Sequence, residues 1–378
     1  MTAEDVACLP RFIRSLSFSN LEAFTPIMGE GLPPRLLKFK IYEEFIFGVS
    51  NVQQHRATAT SVLPSTLLRL VWACNANDFV ADSLPTSLVH LETRNNMFID
   101  HTKLPKGLKV LQCCLPPDAP TMLLPQLLTS LSLKSTSEGP LDLSTVAWPN
   151  SLAWMSLQAI SYVAPSSWPP RLDTLILLME ASPALRFNPR QELPPGSVEA
   201  LRAVVASKSI RHFRTNLLFS DNHIIECFGS AALAASDDAE ASVSGESPSS
   251  SSVSTSNVPV KNSALKSLSV WHSAEVQPTG EQVLTGKIFQ HLPRSLLHLK
   301  VGVFQATLDE VEEGLPPGLQ TLIVKGISEG RPLPEPHSYP DPALTQPTSR
   351  TLNRLPSSIT RFGSQQPQTD RTFASGAL

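Results

Sequence analysis

The chain has little charge and no long apolar segment. Charged residues make up 17% of its 378 residues and the formal net charge is −3, so no strong positive field draws it to nucleic acid or to an anionic membrane. No apolar run approaches the roughly 18 residues that a membrane helix needs. The first residues, MTAEDVACLPRF, lack the apolar region of a secretory signal peptide. We therefore predict a cytoplasmic protein without nucleic-acid or membrane partners.

Cysteine is scarce and irregularly spaced, with Cys8, Cys74, Cys113, Cys114 and Cys227 as the whole set. An odd number at such spacing is neither a disulfide framework nor a zinc-binding pattern. The sequence also lacks an Asn-x-Ser/Thr acceptor, which agrees with an intracellular location. It contains no nucleophile elbow, phosphate-binding loop, paired-histidine zinc helix or kinase signature. The sequence thus predicts a protein that is not an enzyme and that holds no cofactor or metal.

Proline, by contrast, is abundant, and much of it belongs to a recurring ten-residue phrase, Leu-Pro-x-x-Leu-x-x-Leu-x-Leu. We number its places 1 to 10. Copies, some looser and two with Trp in place 1, start at Leu9, Leu32, Leu63, Leu84, Leu104, Leu124, Trp148, Trp168, Leu193, Leu292, Leu315 and Leu355. Starts up to Leu193 lie 20 to 25 residues apart, apart from a 31-residue step after Leu32. Such a period predicts a solenoid, in which each unit buries its apolar side against its neighbours.

The phrase could form either a helix or a strand. On a helix, places 1, 5 and 8 fall within about 60° of one another, and Pro in place 2 suits a first turn. Place 10 would then face solvent, about 180° from place 1. It is nevertheless apolar in most copies: Phe18, Ile41, Trp72, Leu133, Leu157, Leu177, Val301 and Val324. A strand through places 7 to 11 explains this, because places 8 and 10 then face the core and places 7, 9 and 11 face outward.

These residues resemble leucine-rich repeats, specifically the branches whose units open with Leu-Pro. Openings such as LPTSLVHLET, LPRSLLHLKV and LPPGLQTLIV are similar both to FNIP repeats and to the bacterial effector repeats of the YopM/IpaH kind. The resemblance covers roughly residues 9–220 and 264–329. It implies a mostly-β solenoid of the α/β type, with one short parallel strand per 20–25-residue unit and irregular or short-helical returns. The Phe-Asn-x-Pro-Ile half that names the FNIP repeats is absent.

Composition divides the chain into four segments. Residues 1–228 are predicted to be leucine-rich-repeat solenoid, with a degenerate unit in 206–228 where Ile210, Phe213 and Leu217 are spaced for burial. The Ser- and Ala-rich stretch 229–263 cannot bury enough apolar surface to fold, so we expect a disordered insertion. Residues 264–329 continue the solenoid. The tail, 330–378, is rich in Pro, Ser, Thr and Gln and is expected to be mostly disordered.

The outward places of the strands are the candidate binding face, because repeat curvature commonly makes this face the contact surface. Tyr42 and Trp154 are candidate aromatic anchors on it. The candidate partner-binding residues are Lys38, Lys40, Tyr42, Arg69, His90, Glu92, Arg94, Trp154, His298 and Lys300. An ordinary solvated sheet surface is the alternative reading of the same positions.

Two other clusters of residues could have a chemical role. His223, Glu226 and Cys227 could ligate a metal, but ligand pairs at this spacing arise often by accident and no second pair is present. Cys113 and Cys114 could form a redox pair. Cys113 falls in place 10, however, so packing as a small apolar residue is the favoured interpretation.

Three functions remain open from the sequence. The first is a non-catalytic scaffold or interaction module that binds protein partners of unknown identity on its sheet face. The second is a substrate-recognition adaptor in a ubiquitin-ligase or signalling complex, with catalysis supplied by another chain. The third is a hydrolase-like enzyme using the 206–228 segment, which requires His223, Cys227 and a carboxylate to converge.

Overall fold

The computed structural model describes residues 9–18, 32–42, 63–73, 84–93, 103–115, 123–135, 139–179, 196–217, 219–228, 264–270, 284–305, 314–328 and 361–364. The chain divides into two compact units, Met1–Ile176 and Leu177–Leu378.

The first unit is built from short strands, one per repeat phrase. They are β1 (Ser15–Phe18), β2 (Lys38–Tyr42), β3 (Arg69–Ala73), β4 (His90–Thr93), β5 (Val110–Leu115), β6 (Ser130–Ser135), β7 (Leu141–Asp142), β8 (Trp154–Ala159), β9 (Tyr162–Val163) and β10 (Thr174–Met179), which spans the boundary. Strands β1 to β6, β8 and β10 lie side by side in chain order. The pairs from β1 to β8 are parallel. Strands β7 and β9 form a separate parallel pair in the returns.

Places 5, 8 and 10 of the phrase form the core of this unit. In β6 and β8, buried and half-buried residues alternate along the strand, as a sheet with one covered face requires. Leu108, Leu128 and Leu152 occupy place 5 of successive copies, and each has 0% of its surface exposed. Because these columns run from one copy to the next, a single unit has no complete core of its own.

Proline in place 2 shapes the corner that precedes each strand. Its carbonyl accepts a hydrogen bond from the N–H of place 5, at 3.0 to 3.2 Å in ten copies, as between Pro85 and Leu88. Proline suits this corner because it has no N–H to contribute to a sheet. The turn brings the leucine of place 5 into the core directly before the strand begins.

One carbonyl in each corner, which we call the doubled acceptor, accepts two hydrogen bonds from the next corner. The carbonyl of place 6 accepts hydrogen bonds from the N–H groups of both place 6 and place 7 of the following copy. Leu68, for example, accepts from Val89 at 2.9 Å and from His90 at 3.0 Å. Where place 4 is Ser or Thr, its hydroxyl adds a third link: Ser151 donates to the carbonyls of Gln126 and Leu128, both at 2.7 Å. Neighbouring copies are therefore held in register at their corners as well as along their strands.

The second unit combines strands with short helices. It contains α1 (Ser197–Ala206), β11 (His212–Thr215), α2 (221–228), β12 (Ser267–Val270), β13 (Leu284–Thr285), a 3-10 helix (Gly286–His291), β14 (His298–Gln305), β15 (Thr321–Ser328) and β16 (Arg361–Ser364). Strands β11, β12, β14, β15 and β16 pair in parallel in that order, and β13 pairs with β14. Strand β16 lies within the 330–378 segment, where the truncated phrase at Leu355 ends.

The prediction that a repeat starts at Leu193 is wrong. From place 5 onward, its residues form the helix α1 instead of a strand. Gly196, at φ 83°, supplies the left-handed turn before the helix, and Ala200, Leu201, Val204 and Val205 are buried at helical spacing. Place 10 of this copy would be Arg202. The requirement that place 10 be apolar, applied here, rejects the strand.

The strand of this region comes from the degenerate unit at 206–228, as its spacing predicted. Ile210, Phe213 and Leu217 are 0%, 1% and 0% exposed, and Phe213 lies on β11. The molecule is therefore a mostly-β α/β solenoid of leucine-rich-repeat type, with one short parallel strand per repeat and irregular or short-helical returns. The insertion predicted at 229–263 lies outside the described residues. In the described part of the chain, helices are all too short or too polar to cross a membrane.

Candidate binding face

The outward places of β2 to β8 bring most of the predicted face residues of the first unit together. Cα partners in place 7 run from Lys38 through Arg69, His90, Val110 and Ser130 to Trp154. Place 9 forms a second row, which runs through Lys40, Val71, Glu92, Gln112, Ser132 and Ser156. Adjacent strands in a sheet lie about 4.8 Å apart, so each row holds its side chains at a fixed, close spacing.

This face is less exposed than an ordinary solvated sheet. Lys38 is exposed, but Lys40, Arg69 and Trp154 are half-buried. The side chains of His90 and Glu92 are 24% and 12% exposed. Val71, also in an outward place, is fully buried. The expectation that place 9 is simply displayed to solvent is therefore wrong at β3, where an apolar residue lies between Lys40 and Glu92.

Arg69, His90 and Glu92 form the most polar part of the face. The Nε2 atom of His90 lies 4.0 Å from a carboxylate oxygen of Glu92. The Nε of Arg69 and the Nε2 of His90 are shielded from solvent, and neither has a hydrogen-bond partner in the described part of the chain. Shielded polar atoms without partners cost folding free energy.

The remaining predicted face residues are placed elsewhere. His298 and Lys300 lie on β14 in the second unit, at outward places in register with Ser267 and Ser269 of β12. Arg94 and the side chain of Tyr42 fall outside the described residues. Lys38 and Lys40 therefore belong to one compact unit, and His298 and Lys300 belong to the other.

The 206–228 segment uses its polar side chains to hold the fold. Ser220 precedes α2, and its hydroxyl lies 2.9 Å from Nδ1 of His223, whose own backbone N–H points back to the same hydroxyl at 3.5 Å. This is a helix cap. Cys227 donates to the carbonyl of Val198, and Glu226 pairs with Arg202. His223, Glu226 and Cys227 thus have different partners, and the described residues hold no group of three metal-ligating side chains.

The cysteines that the structure describes are packing residues in their present environment. Cys113, Cys114 and Cys227 are buried free thiols. Burial raises the pKa of the Cys113 thiol strongly, with the neighbouring Cys114 adding to the effect, and it raises the pKa of Cys227 to about 11. A raised pKa leaves little reactive thiolate near neutral pH.

Two carboxylates that the sequence did not single out have defined roles. Asp142 in β7 accepts hydrogen bonds from the hydroxyl and the N–H of Ser144, at 2.6 and 2.8 Å, which lower its pKa. Asp221, at the start of α2, binds the N–H and the hydroxyl of Thr285. The Thr285 hydroxyl in turn accepts from the N–H of Lys287, which caps the 3-10 helix. This link joins positions 64 residues apart, so no local pattern could have predicted it.

Comparison with known proteins assigns no family to this chain. No family model matches the sequence, and no curated protein matches it. Among solved structures it is similar to CroV588, described as a novel circular leucine-rich-repeat protein, at 19% identity and a TM-score of 0.45. The alignment covers 94% of this chain and 43% of CroV588, so this chain spans less than half the length of that protein. The fold described above stands on strand register and burial alone.

Proposed function

We propose that this chain is a non-catalytic protein-binding module and that its partner lies on the outward face of β2 to β8. The observation that carries the proposal is the pair of in-register rows, in which Arg69, His90, Glu92 and Trp154 are partly desolvated but still accessible. Arg and Trp are the residue types that contribute most to binding at protein interfaces.

The corner hydrogen bonds support the same proposal, because they hold the face rigid before a partner arrives. Strands β2 to β6 and β8 are each tied to the preceding strand of the sheet by the doubled acceptor at place 6. Side chains held by a rigid sheet lose less conformational entropy on binding than side chains on a mobile loop. A parallel sheet with fixed spacing therefore suits recognition of an extended surface.

A photo-crosslinking experiment tests the face. A benzoylphenylalanine residue is introduced at Ser132, a small, half-buried outward residue, and in a matched variant at Gln126, an exposed residue of the corner turn. We expect the Ser132 probe to label a discrete protein in cell extract and the Gln126 probe to label it weakly or not at all. Equal labelling from both positions would place the contact elsewhere.

A second pair of variants checks specificity within the face. Trp154→Ala, combined with the Ser132 probe, should reduce the crosslink because it removes the aromatic anchor on β8, the strand that pairs with the probe's own strand. Leu127→Ala removes an apolar side chain that is 55% exposed at the corner and should leave the crosslink unchanged. An adaptor role in a ubiquitin-ligase or signalling complex is a narrower form of this proposal, and the identity of the labelled protein tests it.

A further inference from the structure

Positive charge is concentrated in the repeat phrases of the first unit. Among the described residues between 9 and 135, Glu92 is the single acidic residue. The Lys and Arg residues of the same stretches are Arg11, Arg14, Arg35, Lys38, Lys40, Arg69, Lys103, Lys106, Lys109 and Lys134. Acidic residues of this region, such as Glu43 and Glu44, fall in the intervening sequence. The near-neutral net charge of the chain thus conceals a strongly basic set of corners and strands.

Two of these basic side chains and a histidine form a row across adjacent strands. Lys38, Arg69 and His90 are successive Cα partners in place 7 of β2, β3 and β4. At the spacing of a sheet they span about 10 Å, and Lys40 lies one outward place further along β2. We call Lys38, Lys40 and Arg69 the cationic row, and His90 on β4 is its neighbour in place 7.

No acidic side chain in the described residues neutralises the cationic row. Lys38, Lys40 and Arg69 form no ion pair with an acidic side chain in the described part of the chain, and Glu92 lies beside His90 at 4.0 Å. Like charges on neighbouring strands repel each other, so this arrangement costs stability unless an anion lies across it. Charge complementarity therefore favours a negatively charged occupant.

We infer that the cationic row binds an extended acidic segment of a protein partner. This inference rests on the proposed function and names the chemical class of the partner. Glu92 and the buried Val71 lie next to the row in place 9, which disfavours a densely charged phosphate backbone. A peptide can space its Asp and Glu residues to avoid Glu92.

Trp154 gives a peptide a second point of attachment. It lies four strand steps from Arg69 along place 7, which corresponds to about 19 Å, or roughly six residues of extended chain. The partner segment should therefore carry acidic residues at one end and an apolar side chain about six residues away.

Fluorescence anisotropy with the full chain tests the inference. The probe is a labelled octaglutamate peptide, with an octalysine peptide, a short DNA duplex and phosphatidylserine vesicles as comparisons. We expect octaglutamate to bind at low salt and to bind less tightly as ionic strength rises, because exposed charges are screened. Adding one Leu six residues from the acidic end should tighten binding, and Trp154→Ala should remove that gain alone.

Two double variants of equal charge change locate the site. Lys38→Glu with Arg69→Glu should weaken octaglutamate binding by about tenfold or more. Lys106→Glu with Lys109→Glu, two exposed residues of a corner, should have a much smaller effect. Circular dichroism of both variants checks that the sheet is intact, and Lys38→Gln with Arg69→Gln gives a milder second measurement.

The inference is overturned if octaglutamate does not bind, if both double variants weaken it equally, or if DNA or vesicles bind more tightly with the same dependence on Lys38 and Arg69. These results leave the crosslinking test at Ser132 untouched. A labelled partner at Ser132 without octaglutamate binding would refute only the acidic chemistry, whereas octaglutamate binding without a labelled partner would count against the proposed function.

Discussion

Leu131→Ala is the sharpest test of how the repeats support one another. Leu131 lies at place 8 of β6, has none of its surface exposed, and is in register with the equally buried Leu111 and Met155. Truncating a fully buried leucine removes its contacts and leaves a cavity, at a cost of about 3 kcal/mol. Because the column is shared, the loss also weakens the contacts of the copies on each side.

The expected result is a lower free energy of unfolding and a cooperative loss that extends beyond one copy. Urea denaturation followed by circular dichroism gives the free energy, and limited proteolysis with mass spectrometry shows which segments open. We expect cleavage sites to appear on both sides of β6 in Leu131→Ala. A more severe variant, Leu131→Asp, should unfold the block of repeats around it, since a buried unpaired charge costs more than a cavity.

Ser132→Ala is the matched control, because it changes the adjacent residue on the outward side of the same strand. Its effect should stay within about 0.5 kcal/mol, as for an ordinary surface substitution. The assignment of inward and outward places would be refuted if the two variants cost the same, or if Leu131→Ala cost less than about 1 kcal/mol.

Three further results are expected. Ser151→Ala should lower the free energy of unfolding, measured by urea denaturation, by about 1 kcal/mol, because its hydroxyl links two corners. An unchanged free energy of unfolding would show that this link adds no net stability. Asp221→Ala should lower stability by about 1 to 3 kcal/mol. Thr285→Val should cost less in the Asp221→Ala background than in the unchanged chain, because the link to Asp221 is already lost there and the cap on Lys287 alone remains to be removed. Burial raises the pKa of Cys227 to about 11, so the folded chain holds this proton more tightly than the unfolded chain. The resulting stability is complete below about pH 9 and is lost as pH rises through 11; Cys227→Ser should flatten that slope, and an unchanged slope would assign it to other groups.

Much of the fold follows from the sequence because the repeat phrase satisfies one physical requirement many times. The apolar residue in place 10 required a strand, and Ile41, Trp72 and Leu133 are all buried on one. Periodicity alone placed the phrase at Leu193 on a strand as well, and there α1 forms. The residues after Gly196 are good helix formers. Places 8 and 10 are Ala and Arg, so a strand would lack its large apolar core residues, and the helix forms despite the Leu-Pro opening.

The candidate site was less predictable. Alternation correctly assigned the outward places of Lys40, Arg69 and Glu92, but the exposure of each depends on what lies beside it in the neighbouring copy. The sequence does not show that Val71 is buried between them or that the Nε of Arg69 is shielded. Such properties arise from the register between strands that lie 21 and 31 residues apart in the sequence, which a single phrase does not encode.

The doubled acceptor at place 6 bears on how such a chain changes length over evolutionary time. The carbonyls of Leu37, Leu68 and Val89 each accept the same two hydrogen bonds from the next copy. The starts at Leu32 and Leu63 are nevertheless 31 residues apart, whereas those at Leu63 and Leu84 are 21 residues apart. The junction is thus independent of the length of the return. Duplication or deletion of a whole copy rejoins chemically identical ends, so natural variants can gain or lose repeats while every remaining strand keeps its alignment.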